Sequence, residues 1–278
     1  MKWLARLWIG LPVMLLLIAG HIWWSHPAVF RPVALVSFLN VDQGDATLIQ
    51  TEEGHRVLVD CGDVDGPILT RLQEQLGFLA RRIDLIVVSH GHADHYGGCF
   101  DVIERYHVGA VMINGVRKEE GGLYESFLAE VASREIRILP GLSGTEIGLG
   151  NRQLQVLHPT NEHWGETITN DNDMSVVIGG FGGEKDFVLM GDVYTSGEQE
   201  IIQRYPELDV DILKVGHHGS DTSTSQSFLD HVHPDTAIIS AGKDNRHGHP
   251  HDEVLERLTE AGITIRETQH LTSIDIIW

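Results

Sequence analysis

Cysteine is nearly absent from this chain: Cys61 and Cys99 are the two thiols in 278 residues. So few exclude a disulfide framework and a cysteine-rich zinc module, which need a repeated thiol pattern. Two buried free thiols are the expectation, with a single disulfide in an oxidising compartment as the alternative. Basic side chains are scarce as well. Twenty Lys and Arg stand against 40 Asp and Glu, for a formal charge of −20. A nonspecific nucleic-acid binder needs a basic face, so the charge counts against that class. It leaves open an enzyme that meets a phosphate through bound cations, because cations reverse the field locally. No low-complexity tract, internal repeat or G-x-S-x-G elbow occurs. Solenoids and a serine hydrolase of the elbow type are therefore disfavoured.

Long apolar runs are missing except at the start. Lys2 and Arg6 precede an uncharged, mostly apolar stretch at 7–24 that ends in two tryptophans. At a rise of ~1.5 Å per residue this nearly spans a bilayer core of ~30 Å. Residues 1–30 are therefore expected to form a transmembrane signal-anchor, with the positive end held inside and the tryptophans at the interface. A cleaved secretory signal is the competing reading, although "HPA" is a poor cleavage site. Either reading exports the domain at 33–278 to the periplasm or cell exterior, membrane-anchored in the first case and secreted in the second.

Beyond the anchor, three β-rich runs, "VALVSFLN", "ATLIQT" and "HRVLVD", are separated by short Gly/Asp turns and read as a meander. A helix at 66–80 leads to the buried strand "IDLIVV". The spacing then predicts a strand at "GAVMIN", a helix at 122–133 and a strand at "QLQVLHP". The second half follows the same style with "MSVVIGGF", "KDFVLMGD", a helix at 196–204, "VDILKVG", "TAIISAG" and the helix "DEVLERLTEAG". Strands first antiparallel and then alternating with helices, twice over, predict an α/β protein with two sheets packed face to face and helices outside.

The chemistry concentrates in "SHGHADHYGG", directly after "IDLIVV". Strand ends opening onto loops are where α/β folds tend to place their sites. His90 and His92, two apart on an extended loop, point the same way and can hold one cation. Asp94 and His95 follow where the loop turns helical and can serve a second. Imidazole with carboxylate suits zinc or a similar divalent metal at ~2.0–2.2 Å. Two further strand ends add donors: "FVLMGD" delivers Asp192, and "LKVGHHGS" delivers His217 and His218. Each alone is weak, since a strand-ending Asp is often a turn former and paired histidines are often surface residues. Three such ends in one chain are a much less probable accident.

With these residues the chain resembles the metallo-β-lactamase fold superfamily. Within it, the chain is most similar to the hydrolase domain of ComEC-type DNA-uptake proteins. The matching stretches are "VDQGDATLI", "VLVDCGD", "SHGHADHYGG", "NDMSVVI", "LMGD", "LKVGHHGS" and "NRHGHPHDEVLERL". The resemblance implies an αββα sandwich with a dinuclear centre between the sheets. It assigns His90, His92 and Asp192 to one ion, and Asp94, His95, Asp192 and His218 to the other, as Zn²⁺ or Mn²⁺. Asp192 would bridge. His217 is expected to face a phosphate, and Asp60 to hydrogen-bond a ligand histidine from behind. Many superfamily members carry a further histidine where this chain reads Asn172-Asp173-Met174-Ser175, which leaves the first ion one nitrogen short. Water, Asn172, Asp173 or His158 are the candidates to replace it.

Other residues have plainer readings. Asp45 in "QGDA" is expected to serve the turn. His249 and His251 stand where they can line the cleft, although capping of the following helix by Pro250 and Asp252 explains much of that stretch. Lys214 either touches a substrate anion or snorkels. The expected function is metal-dependent hydrolysis of a phosphodiester, of nucleic acid or a smaller molecule, with Asp94, His217 and Asp60 as catalytic residues. The alternatives are a carbonyl ester, lactone or β-lactam at the same centre, or a membrane-tethered, non-enzymatic module of an envelope or DNA-uptake complex.

Overall fold

The computed structural model describes residues 33–278, apart from 119–121, 161–162, 169 and 244. The expected anchor at 1–30 lies outside the described residues. Among the described residues no helix is long and apolar enough to cross a membrane.

The first half supplies β1 (Leu35–Leu39), β2 (Thr47–Gln50), β3 (Arg56–Val59), β4 (Arg82–Val87), β5 (His107–Ile113) and β6 (Arg137–Pro140). The second supplies β7 (Glu146–Leu149), β8 (Arg152–His158), β9 (Val177–Phe181), β10 (Phe187–Leu189), β11 (Ile212–Lys214), β12 (Thr236–Ile239) and β13 (Thr264–Glu267); β14 (Ser273–Ile277) returns to the first sheet. The sheet orders are β14-β1-β2-β3-β4-β5-β6 and β13-β12-β11-β10-β9-β8-β7. Each sheet is antiparallel on one side and parallel on the other. β1, β2 and β3 form the meander expected from their Gly/Asp turns, and β3, β4, β5 and β6 are parallel. Likewise β7 to β10 are antiparallel and β10 to β13 parallel.

Period-two alternation puts both faces of each sheet to use. Val36, Phe38, Val57, Val59 and Val87 meet Leu154, Val156, Ile178, Phe187 and Ile238 in a core between the sheets. Leu48, Leu58 and Ile86 point the other way, under helices Ile68–Leu76, Cys99–Arg105 and Leu123–Ser133. Val177, Val188, Leu213 and Ile239 do the same under helices Thr195–Arg204, Gln226–Val232 and Asp252–Glu260. The result is the four-layer α/β arrangement anticipated from the strand pattern. Burying a Phe, Leu or Ile at any of the three cores contributes ~1.5–3 kcal/mol.

Several details differ from expectation. The first helix is shorter than 66–80 and ends at Gly77, whose φ of 77° breaks it. Helix Gln226–Val232 was not anticipated; Ser225 caps it, its side chain accepting from the Phe228 N–H at 3.2 Å. Cys61 and Cys99 are not free thiols but form a disulfide, with Cα atoms 5.2 Å apart. The sequence could not choose because the pairing depends on helix Cys99–Arg105 folding back over the end of β3.

Candidate metal centre

β4 ends at Val87, and the chain then runs through Ser89–His95 across the rim of the sandwich. Asp60, just past β3, pins this loop. Its Oδ1 accepts from the Ser89 N–H at 2.7 Å, and its Oδ2 accepts from Ser89 Oγ at 2.7 Å. The same Oδ2 lies 2.9 Å from His95 Nδ1, which leaves His95 Nε2 to face the centre. Asp60 does this from a left-handed conformation, φ 59°.

From the other sheet, β10 ends one residue before Met190-Gly191-Asp192. Gly191 has φ 55°, and a Cβ there would lie 2.9 Å from that of Ser175. A side chain at this position would crowd Ser175 and Ser89, so glycine makes the turn that aims Asp192 into the rim. After β11, His217 and His218 both take left-handed φ values, 47° and 54°. Such backbone at two adjacent non-glycine residues is costly and is held here by its surroundings: His217 N–H donates to Gly191 O at 2.9 Å, and Ser220 N–H to His217 O at 2.8 Å. The His218 ring is fixed by Nδ1 donating to Ser240 O at 3.0 Å, which again leaves Nε2 inward.

These parts converge. Asp192 Oδ1 lies 3.3 Å from His95 Nε2 and 3.6 Å from His218 Nε2. Asp192 Oδ2 lies 3.8 Å from His90 Nε2. Asp94 Oδ2 lies 3.4 Å from His218 Nε2. His90, His92 and Asp192 offer one set of donor atoms within 4.8 Å of one another; His95, Asp192, His218 and Asp45 offer a second. Asp192 belongs to both.

Residues and a cation fit each other here. The Nε2 atoms of His90, His95 and His218 and Oδ1 of Asp192 are buried and make no hydrogen bond. An unsatisfied buried polar atom costs ~1–3 kcal/mol, and four aimed at one point are accounted for by divalent metal. The field agrees. Burial favours neutral forms, yet Asp192 and Asp45 beside His218 push its imidazole up to about 10. Against its own burial, Asp192 is held well below the usual carboxylate range by His218 and His95. Protons on imidazole supply the positive charge these carboxylates demand. His90 goes the other way: burial, with His95 adding to it, lowers it to about 3, so it keeps a free lone pair at neutral pH. Nitrogen and carboxylate donors of this kind suit zinc or manganese.

His217 stands apart from the buried set. Its Nδ1 lies 2.9 Å from Thr222 Oγ1, and its Nε2 is 3.3 Å from Asn172 Nδ2 and 3.8 Å from Asp192 Oδ2. It lines a cleft of about 740 Å³ that opens over the centre. Of the candidates to replace the missing histidine, two are turned away. Asp173 accepts from the N–H groups of Tyr194 and Gly197 at 3.1 Å each and so caps the following helix. His158 Nε2 lies 3.5 Å from Glu200 and its Nδ1 faces Ser175 O. Asn172 remains, with a buried Oδ1 that makes no hydrogen bond and a place on the cleft wall.

Three other residues behave differently from their sequence reading. Lys214 neither snorkels nor meets the cleft; it is buried, its Nζ donating to Asp45 Oδ2 at 2.6 Å and Val215 O at 2.8 Å. Asp45 is more than a turn former, since its Oδ1 lies 3.3 Å from His218 Nδ1. Gly44 makes this possible, because a Cβ there would come within 2.1 Å of Asp94 O. Helix Asp252–Glu260 is preceded by His251 as N-cap rather than capped by Asp252. The residue overlooked altogether is Asp171. It accepts from the Gly91 N–H at 2.9 Å, pairs with Lys118, and lies 3.8 Å from His92 Nε2. Its one sequence signal was the acidic run "NDND" ahead of β9.

Comparison with known proteins adds the lineage. Residues 39–243 match the metallo-beta-lactamase superfamily. The chain is 29% identical over 253 residues to ComE operon protein 3 of Bacillus subtilis (strain 168), covering 84% of this chain and 31% of that protein. It is 34% identical over 233 residues to Recombination protein 2 of Haemophilus influenzae, covering 82% of this chain and 27% of the other. The chain thus spans about a third of the length of the curated relatives it matches. Among solved structures, the metallo-beta-lactamase fold protein YhfI from Bacillus subtilis superposes with a TM-score of 0.54 at 12% identity, over 87% of this chain and 99% of that one. That likeness concerns the fold. Strand ends that gather imidazole and carboxylate, and a match that takes in every one of these donors, lead to one statement: the chain belongs to the metallo-beta-lactamase superfamily and is similar to the ComEC-type competence proteins.

Proposed function

We propose that this superfamily hydrolase cleaves phosphodiesters. The observation that carries the reading is the character of the cleft wall. Around the centre stand Asn170, Asn172, Tyr194, His217, Asn245 and His249, each carrying a hydrogen-bonding group. The acyl portion of a lactone or β-lactam asks for an apolar pocket; a phosphodiester, with one negative charge shared over two non-bridging oxygens, asks for donors. The similarity to ComEC-type proteins supports the same reading.

Divalent metal, when bound, supplies a Lewis acid and lowers the pKa of coordinated water. The chain's own groups do the remainder. Asp60 holds the His95 tautomer, and Ser240 O holds that of His218, so that both Nε2 atoms stay fixed while charge builds. Asp94, whose side chain is 28% exposed, reaches the cleft, where its carboxylate accepts a hydrogen bond from the attacking water and orients it. The water oxygen, having released a proton to solvent, bonds to phosphorus as the bond to the leaving ester oxygen breaks, and that oxygen takes up a proton from solvent. His217, braced by Thr222, faces the substrate phosphate from the cleft wall. The Cys61–Cys99 disulfide supports an oxidising compartment, in keeping with an exported domain.

The test is to assay bis-p-nitrophenyl phosphate, single-stranded DNA, p-nitrophenyl acetate and a β-lactam with Mn²⁺ or Zn²⁺. Wild type is expected to turn over the phosphodiesters, and the double variant Asp94→Ala/His95→Ala is expected to lose that turnover. Preference for the acyl esters, or undiminished turnover in the variant, rules the reading out.

A further inference from the structure

From the centre a row of imidazoles climbs one wall of the cleft. The rings of His218 and His249 have centroids 6.1 Å apart and planes 28° apart; those of His249 and His247 are 5.6 Å and 23° apart. His217 flanks the row, 5.4 Å from His249. At its outer end stands Arg246, whose Nε donates to His247 Nε2 at 3.1 Å. Among the described residues lining the cleft, Arg246 is the one Lys or Arg. In a chain with charge −20, that position is informative.

The row sits on a loop with its own internal pin. Asn245 Oδ1 accepts from the His247 N–H at 3.1 Å and the His249 N–H at 2.9 Å. Its Nδ2 donates to Gly242 O at 2.8 Å and His249 O at 2.6 Å. The base of the loop is tied across the rim by the Gly242 N–H donating to Gln43 Oε1 at 3.1 Å. One amide thus fixes the backbone that presents all three side chains. His249 Nδ1 is buried and makes no hydrogen bond, so it remains ready for a ligand. Capping the following helix explains none of this, since His251 fills that position.

We infer that the loop 245–249 is an anion-reading arm, in which Arg246 grips a second phosphate of the substrate while the first lies over the metal centre. The assignment rests on the phosphodiesterase reading and makes it narrower: the preferred substrate class is a chain of phosphodiesters, such as an oligonucleotide, over an isolated phosphodiester. A guanidinium offers a planar fork matched to phosphate oxygens, and two imidazole rungs separate it from His218. The cleft of about 740 Å³ lies in the upper part of the ~300–1,000 Å³ usual for ligand pockets. One arginine at one phosphate also reconciles an acidic protein with a polyanion, because attraction is confined to a point and needs no basic face.

The experiment pairs a change in the protein with a change in the ligand. Trithymidylate is compared with a version whose distal linkage is an uncharged methylphosphonate. Binding is read by fluorescence anisotropy on the metal-loaded full chain, in an Asp94→Asn background that slows cleavage. With Arg246 present, the charged ligand is expected to bind about tenfold tighter than the neutral one. Arg246→Gln is expected to abolish that preference and to reduce the slope of log Kd on log salt by ~0.7, and Arg246→Lys to restore part of both. Equal binding of the two ligands with Arg246 present, or a preference that survives Arg246→Gln in protein with native circular dichroism, overturns the inference. If the preference is seen but wild type never cleaves trithymidylate, the anion-reading arm stands and the phosphodiesterase reading falls.

Discussion

The two halves of the metal centre are built to different standards. On one side, His95 and His218 are buried and each has its second nitrogen committed, to Asp60 and to Ser240 O. On the other, His92 has a side chain 35% exposed and faces Asp171 at 3.8 Å, and Asn172, whose buried Oδ1 makes no hydrogen bond, stands where the resemblance expects a further histidine. His90 bridges these styles, buried but with its Nδ1 near two serine hydroxyls, Ser89 at 3.1 Å and Ser175 at 3.3 Å. A ring with both nitrogens assigned loses little freedom on binding a cation; a half-exposed ring loses more. The His95–His218 side is therefore expected to be the tighter position and the His90–His92 side the more exchangeable one.

The most severe challenge to this contrast is Asp192→Ala, because that carboxylate serves both sides. Metal content is expected to fall on both, and turnover to drop below about a thousandth of wild type. Retention of one full ion would show that Asp192 is not shared. Next comes Asp60→Asn, which leaves the His95 ring without its carboxylate partner. Metal affinity on the tight side is expected to weaken ~10–100-fold, measured by competition with a chelator. A milder change, His92→Ala, should reduce bound metal from two ions per chain to one, since the tight side keeps all its donors. Mass-spectrometric metal analysis after dialysis decides, and loss of both ions would erase the distinction.

The smallest effect concerns pH in chelator-treated protein. His218 is raised from 6.5 to about 10, against its burial, by Asp192 and Asp45. A histidine raised on folding contributes stability that is complete below its unfolded pKa and is lost as pH rises through the folded one. The melting temperature of metal-free protein should thus decline between about pH 6.5 and pH 10, while that of metal-loaded protein should decline less. Parallel curves would mean that the buried proton does not substitute for the ion.

What the sequence made legible follows from where each residue's partners lie. His90, His92, Asp94 and His95 announce themselves because four donors in six positions have no structural use in a short loop. The strands could be read because inward and outward faces alternate, as Leu58 does between Val57 and Val59. Asp45 and Asp171 were hidden for the opposite reason. Asp45 gains its meaning from Lys214, 169 positions away, and Asp171 from Gly91, 80 positions away. Local reading sees an Asp beside a Gly and an Asp in a polar run, both ordinary in turns. Lys214 was misjudged for the same cause, since a lysine in an apolar strand is legible but its buried counter-charge is not.

The donors are divided between the two sheets: His90, His92, Asp94 and His95 come from the first, Asp192 and His218 from the second. Neither layer alone can therefore capture a cation with a complete set. During synthesis the last donor leaves the ribosome only after most of the polypeptide has been made, so a complete set of donors exists only late, when both slices of the sandwich are at hand.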